Sequence, residues 1–163
     1  MHHDPIIVPL SQGKVALIDA EDAERILAFK WSLSCRGYAF RTRRVAERPG
    51  SMAIFMHRAI IDAPDGRHVD HANGDRLDNR RSNLRLATPS QNSANAKRPH
   101  DNRSGFKGVT LLRKYGIWQA QIGANGGHFY LGRFASPEEA ARAYDAAARY
   151  FFGEYARVNF PEE

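Results

Sequence analysis

The chain has 163 residues, enough for one ordinary domain or two small ones, and 42% of them are hydrophobic. Its 24 Lys and Arg residues against 18 Asp and Glu residues give a formal net charge of +6, which favours a polyanionic partner. No run approaches the roughly 18 apolar residues of a membrane helix, no secretory signal is expected, and one cysteine excludes an intrachain disulfide.

The front of the chain alternates short apolar runs with turn residues. Two strands are predicted over 6–10 and 14–18, followed by a helix that Asp19 caps and that ends near Phe29. A hairpin is predicted over 31–43, turning at Cys35-Arg36-Gly37. We expect this portion to pack against residues 57–97, because it contains no catalytic constellation of its own.

A polar motif at 69–92 organises the chain. An Asp-His pair at 70–71 ends a short strand, and a loop rich in Asn, Asp and Gly comes next. An extended segment is predicted at 83–86. The Thr-Pro pair at 88–89 then begins a helix that carries Asn92, since Thr favours the N-cap and Pro the first helical position.

The side chains of this motif suit metal-assisted hydrolysis. A neutral imidazole accepts a proton from water near pH 7, and a carboxylate beside it binds a hard cation such as Mg²⁺. An amide oxygen on a facing helix supplies a second ligand and leaves positions for phosphate and water. A surface loop of ordinary turn residues is the bland alternative. A calcium loop does not fit, because Ala72 and Gly74 stand where oxygen ligands are required.

Residues 57–97 resemble the HNH nuclease family with its ββα-metal core. The resemblance implies that Asp70 binds the metal, His71 is the general base and Asn83 pins the loop. It places Asn92 at the last position, where family members use His or Asn, so that Asp70 and Asn92 hold one divalent metal. The implied metal is Mg²⁺, with Mn²⁺ as a substitute. No zinc scaffold is expected, because Cys35 is the single cysteine.

Several basic side chains lie in or near the motif. They are candidate phosphate contacts, or else structural hydrogen-bond donors and solvated charges: His57, Arg58, Arg76, Arg80 and Arg81. Arg85, beside Asn83, is expected to serve packing.

Charge is concentrated after the motif, where residues 97–135 hold seven Lys or Arg residues and a single acid, Asp101. Such segregation is typical of a surface that binds a polyanion. The sequence predicts a nuclease domain over 1–96, a basic linker over 97–104 and a second domain over 105–161.

The second domain is predicted to be three strands followed by one helix. The strands cover 107–112, 117–122 and 128–134, and the helix runs from Ser136 as N-cap to a stop at Gly153. The fold class is therefore α+β: a ββα-metal domain with a small β-rich front portion, then a three-stranded antiparallel sheet on one helix. The helix should pack through Ala140, Ala143, Tyr144, Ala147, Ala148 and Phe151.

The two faces of the predicted sheet differ in polarity. The face toward the helix is apolar and comprises Trp118, Ala120, Ile122, Phe129 and Leu131. The outer face carries Gln119, Gln121, His128 and Tyr130. A polar sheet face with basic ends can enter the DNA major groove, where Gln and Arg read base edges.

Residues 104–161 resemble the DNA-binding domain of the APETALA and ethylene-response-factor family, through Gly105-Phe106-Lys107-Gly108-Val109, Tyr130-Leu131-Gly132-Arg133-Phe134 and Asn159-Phe160-Pro161. The groove-facing positions that this resemblance implies are Lys107, Thr110, Arg113, Tyr115, Gln121, Gly123, His128, Tyr130 and Arg133. Thr110, Gly123 and His128 depart from the plant pattern, so the plant recognition sequence does not transfer. Asp145 is expected to be structural.

Together these features predict a site-directed DNA endonuclease of the homing type. Its partner would be double-stranded DNA and not a membrane, and a monomer is favoured. It would lie in the cytoplasm of a bacterial or phage-infected cell, associated with the nucleoid. A transcriptional regulator with an inactive nuclease core is the first alternative. A repair or restriction nuclease for structured or modified DNA is the second.

Overall fold

The computed structural model describes residues 4–44, 50–98 and 102–162. The sequence also predicts a loop at 45–50, and this loop and the middle of the predicted linker lie mostly outside the described residues. The fold is mixed α/β, with several small sheets and few helices. Contacts divide the chain into two compact units, Met1–Ala87 and Thr88–Glu163. Among the described helices, none is both long and apolar enough to cross a membrane.

The first unit is built from three small antiparallel sheets and two short helices. The sheets are formed by β1 (Ile6–Pro9) with β2 (Val15–Ile18), by β3 (Ser32–Leu33), β4 (Ala39–Arg44) and β5 (Ser51–Phe55), and by β6 (His68–His71) with β7 (Leu84–Ala87). The helices are α1 (Ala23–Leu27) and α2 (Met56–Ile60). The two strands and the hairpin predicted in the front portion are confirmed, and the two strands pair with each other.

One apolar core joins these elements, and it includes Ile18, Ile26, Trp31, Met56 and Ile60. Each fully buried side chain of this size stabilises the fold by about 1.5–3 kcal/mol. Strand β2 also supports the polar motif directly: the Leu17 N–H donates to the carbonyl of Leu77 at 2.8 Å, and the Asn79 N–H donates to the carbonyl of Leu17 at 2.8 Å. The front portion is thus a scaffold for the loop between β6 and β7.

Asp19 was expected to cap the first helix, and that prediction is wrong. A 3₁₀ turn at Ala20–Asp22 precedes α1, and no side chain caps either element. Asp19 Oδ2 instead accepts a hydrogen bond from the backbone N–H of Arg81 at 2.7 Å. A partner 62 residues away in the chain outcompetes the local cap, which no local pattern reveals.

The second unit contains α3 (Pro89–Ala94), the strands β8 (Val109–Leu112), β9 (Ile117–Ala124) and β10 (Gly127–Phe134), and the long helix α4 (Pro137–Phe152). The strands form one antiparallel sheet in the order β10-β9-β8, with α4 packed on it. The β9–β10 turn has φ of 50° at Asn125 and 76° at Gly126, which these residue types tolerate. This part of the unit has the sheet and helix that the sequence predicts.

Helix α4 buries a wider face than its alanine pattern suggests, because Ala141, Asp145 and Phe152 are buried as well. Asp145 is 1% exposed, and its carboxylate accepts hydrogen bonds from the backbone N–H groups of Asn159 and Phe160 at 2.8–2.9 Å. A buried carboxylate is stable only with such donors. Asp145 therefore fastens the C-terminal segment to the helix, as expected of a structural residue.

Candidate active site

The hairpin of β6 and β7 presents the Asp-His pair. Its antiparallel register sets Asp70 opposite Arg85 and His71 opposite Leu84. Asp70 is 5% exposed and His71 is 4% exposed. Two adjacent titratable residues are rarely this buried unless specific partners hold them.

The partner of Asp70 is Arg85 on the neighbouring strand. The Arg85 Nε donates to Asp70 Oδ2 at 2.9 Å, and Nη2 lies 2.8 Å from the same oxygen. Arg85 was expected to serve packing, whereas its guanidinium forms a largely buried ion pair with the acid. Pairing the strand at 68–71 against 84–87 would have placed the two residues opposite each other, so the signal was available in the sequence.

The imidazole of His71 is oriented by a residue that sequence reasoning missed. His71 Nε2 lies 3.3 Å from Asn79 Oδ1, and Asn79 is fully buried. The Asn79 Nδ2 donates to the carbonyl of Leu77 at 3.1 Å, which fixes the amide so that its oxygen faces the ring. This contact favours the tautomer with a proton on Nε2 and the lone pair on Nδ1.

Burial lowers the pKa of His71, although the Asn79 hydrogen bond and the charge of Asp70 oppose the shift. The ring is therefore neutral near pH 7, which is the form that can accept a proton from water.

Asn83 closes the loop that joins the two strands. Its Oδ1 accepts from the backbone N–H of Asn73 at 2.9 Å, and its Nδ2 donates to the carbonyl of Asp78 at 2.7 Å. The backbone N–H of Ala72 also donates to the carbonyl of Asn83 at 2.9 Å. One side chain thus links both ends of the loop, while its importance for catalysis stays a prediction.

Two aromatic rings, one of them from the front portion, lie near the imidazole of His71. The ring centroids of His57 and Tyr38 lie 5.2 Å and 5.9 Å from that of His71. His57 is 8% exposed, and among the described residues its Nδ1 has no hydrogen-bond partner. Burial, with the nearby His71 and Arg58, lowers the pKa of His57 to about 3. Tyr38 shows that the front portion does contribute to the site, which the sequence did not predict.

We expect His57 to make the fold sensitive to acid. Because its pKa is lower in the folded state than in the unfolded state, its contribution is complete above the ordinary pKa and is lost as pH falls toward about 3. Between about pH 7.5 and pH 5, the contribution of His57 to the free energy of unfolding should fall by about 2 kcal/mol. Urea titration at the two pH values measures the free energy of unfolding. Its decrease between them should be smaller in His57→Phe than in the unsubstituted protein, by about this amount. An equal loss in both proteins would contradict this assignment.

The four arginines among the candidate phosphate contacts have partners within the first unit. Arg58 donates to the carbonyls of three residues between α2 and β6, and Arg76 donates to the carbonyl of Arg36 at 2.7 Å. Arg80 pairs with Asp78 at 2.7 Å, and Arg81 pairs with Asp22 at 2.8 Å. These contacts stabilise the loop and its scaffold. A role in binding phosphate stays a prediction for each of them.

In the second unit, the outer face of the sheet is polar and accessible. Gln121, His128, Tyr130 and Arg133 are exposed, and Tyr130 stands directly opposite Gln121 in the strand register. The Arg133 guanidinium lies 5.8 Å from the ring centroid of Tyr115, and Arg113 is exposed. Thr110 on β8 and Gly123 on β9 are exposed as well. The predicted DNA contacts other than Lys107 therefore lie on an exposed surface.

Lys107 is half-buried, unlike the other predicted DNA contacts. Asn92 lies in the second unit, whereas the other predicted catalytic residues lie in the first. The ammonium of Lys107 donates to the carbonyls of Ala94 and Ala96 at the end of α3. Asn92 lies on α3 and is half-buried, and this helix belongs to the second unit. The predicted N-cap is confirmed, because Thr88 and Gln91 form a capping box.

Comparison with known proteins identifies the family. A family model described as HNH endonuclease matches residues 62–94. A mimivirus protein named an uncharacterized HNH endonuclease is 31% identical over 152 residues, which cover 91% of this chain and 76% of the relative. The chain belongs to the HNH endonuclease family.

Two further similarities concern parts of this HNH chain. Protein 3.8 of Escherichia phage T7 is 40% identical over 63 residues, or 39% of this chain and 52% of the phage protein. The C-terminal region is homologous to plant AP2/ERF domains. The AP2-like ethylene-responsive transcription factor ANT of Arabidopsis thaliana is 49% identical over 57 residues, which cover 34% of this chain and 10% of the plant protein.

The donor set near His71 suits a hard cation that needs few protein ligands. Within the described residues there is no group of three or more His, Cys, Asp or Glu side chains that could hold a metal. Mg²⁺ is commonly bound by one or two carboxylates, with water and substrate phosphate completing its shell. The buried carboxylate of Asp70 beside an imidazole fits that arrangement.

Proposed function

We propose that this HNH protein is a site-directed DNA endonuclease of the homing type that uses one divalent metal, most simply Mg²⁺. The observation that carries the proposal is the buried Asp70–His71 pair, whose imidazole is oriented by Asn79. A chain that also presents an exposed polar sheet face in its second unit has a means of choosing where to cut.

Each site residue has a defined task in this proposal. Neutral His71 removes a proton from the attacking water through Nδ1, while Asn79 holds the ring in the required tautomer. Asp70 and Asn92 would hold the metal, and Arg85 fixes the orientation of the Asp70 carboxylate. When bound, a divalent ion supplies charge stabilisation to the phosphoryl oxygens. Asn83 keeps the loop closed around these groups.

The sheet of the second unit would choose the DNA sequence. Gln side chains pair with adenine and Arg side chains with guanine in the major groove, and aromatic residues pack against thymine methyl groups or sugars. Gln121, Tyr130 and Arg133 supply these chemistries on adjacent strands. The basic residues around them contribute a salt-dependent attraction to phosphates.

Selection of a binding site tests whether cleavage is directed. Duplexes from a random pool are selected with the full-length protein in EDTA, and the enriched site is cloned into a plasmid. On addition of Mg²⁺, cleavage should fall within or beside that site, and a plasmid without it should be cut far more slowly. Equal cleavage of both plasmids would contradict a site-directed enzyme.

Gln121→Ala should weaken binding to the selected site by about 1–3 kcal/mol and relax the preference at one base pair. The reason is that a bidentate amide contact to one base is lost while the phosphate contacts remain. Gln12→Ala, at an exposed position of the first unit, is the control. Competition binding against a set of single-base variants of the site measures both effects. Unchanged affinity and preference would mean that this sheet face does not read the bases.

A further inference from the structure

Helix α3 depends on the second unit for its stability. It has six residues, and an isolated helix of that length does not persist in water. Its last residue, Ala94, is 7% exposed and belongs to a buried cluster with Ile122, Tyr144, Ala148 and Phe152. The helix that the HNH family model includes is therefore packed into the core of the DNA-binding module.

Lys107 closes the C-terminal end of this helix. Its Nζ donates to the carbonyl of Ala94 and, at 2.9 Å, to the carbonyl of Ala96, and the backbone N–H of Arg157 also donates to Ala94 at 3.3 Å. The last carbonyls of a helix lack intrahelical partners and carry partial negative charge. The ammonium of Lys107 donates hydrogen bonds to these carbonyls and offsets their partial negative charge.

The backbone of Lys107 is itself fixed. Its N–H donates to Asn159 Oδ1 at 2.7 Å, and Asn159 Nδ2 donates to the carbonyl of Lys107 at 3.2 Å. Asn159 is in turn held by the buried carboxylate of Asp145. Burial lowers the pKa of Lys107 to about 8, so the side chain is still mostly protonated at pH 7. The ammonium is thus presented to α3 from a rigid frame.

We propose that Lys107 is a positioning residue of the nuclease: it holds helix α3, and with it Asn92, in place from within the DNA-binding unit. This inference rests on the proposed metal-binding role of Asn92. The family resemblance implies that Lys107 contacts the DNA groove. In this proposal Lys107 holds the helix instead, because its ammonium donates to the carbonyls at the end of α3.

The test compares full-length Lys107→Met and Lys107→Arg with Lys30→Met, which removes an exposed charge from the first unit. Lys107→Met should raise the Mg²⁺ concentration for half-maximal cleavage about tenfold, since hydrogen bonds to a charged donor are the stronger class. The dependence of DNA affinity on salt should stay unchanged. Lys107→Arg, which keeps a cationic donor, should recover most of the activity, and Lys30→Met should match the unsubstituted protein.

Two results would overturn the proposal. In one, Lys107→Met lowers the salt dependence of DNA affinity by about one counterion, as expected of a phosphate contact, and leaves the Mg²⁺ concentration for half-maximal cleavage unchanged. The other is a cleavage rate that falls at an unchanged Mg²⁺ requirement, as expected of a general loss of folded protein.

Hydrogen exchange separates this inference from the proposed function. If the unsubstituted protein cleaves no DNA, the proposed function fails, but the amides of Asn92, Asn95 and Ala96 still report on the helix through their bonds to Thr88, Gln91 and Ser93. Lys107→Met should accelerate their exchange about tenfold relative to the amides of α4. Unchanged protection would show that Lys107 does not hold the helix.

Discussion

His71→Ala should lower the rate of DNA cleavage by about 10²–10⁴-fold while leaving DNA affinity unchanged. The imidazole is the group beside Asp70 that can accept a proton near pH 7, because burial lowers its pKa and Asn79 sets its tautomer. The rate is measured at saturating Mg²⁺ with the full-length protein, and affinity is measured in EDTA.

The control for this prediction lies on the same strand. His68 is exposed on β6, three residues before His71, and has no part in the proposed chemistry. His68→Ala should cleave at the rate of the unsubstituted protein. If His71→Ala cleaves equally fast, another group activates the water and the assignment of the base is wrong.

Gly108→Ala should destabilise the second unit by about 3 kcal/mol or more, since overpacking and backbone strain add. Gly108 has a φ of +75°, and a Cβ there would lie 1.9 Å from Tyr144 Cδ2 and 2.8 Å from the carbonyl oxygen of Gln121. Tyr144 is 5% exposed in the core, so neither its ring nor the strand has room to move. Urea titration, followed by a signal from the second unit, measures the loss.

Gly116→Ala separates strain from crowding. Gly116 has a similar φ of +63°, but nothing lies within 4 Å of a Cβ built there. We therefore expect a loss of only about 1 kcal/mol from the backbone conformation. If the two substitutions cost the same, close packing of the loop against α4 is not what requires glycine at 108.

The sequence predicted well those features that depend on neighbouring residues. The Thr88 cap and the strands of the second unit both follow from local chemistry, and the structure contains them. Membership of the HNH family was predicted from a similarly local motif and is confirmed by the comparisons.

The features that were missed depend on partners distant in the chain. The side chain of Asp19 binds the backbone N–H of Arg81 instead of capping its helix. Tyr38 reaches His71 from a hairpin that shows no catalytic pattern. Each outcome is decided by tertiary contacts that override local preference. The ion pair between Asp70 and Arg85 is different, because correct strand pairing alone would have predicted it.

Cleavage of supercoiled plasmid by the purified full-length protein tests the central claim most directly. The plasmid carries the selected site, and reactions contain Mg²⁺, Mn²⁺ or EDTA, with His71→Ala alongside. Conversion to open circles by the unsubstituted protein, only with metal, is the predicted result. Tight and salt-sensitive binding with no conversion under any condition would contradict the account and indicate a DNA-binding regulator with an inactive nuclease core.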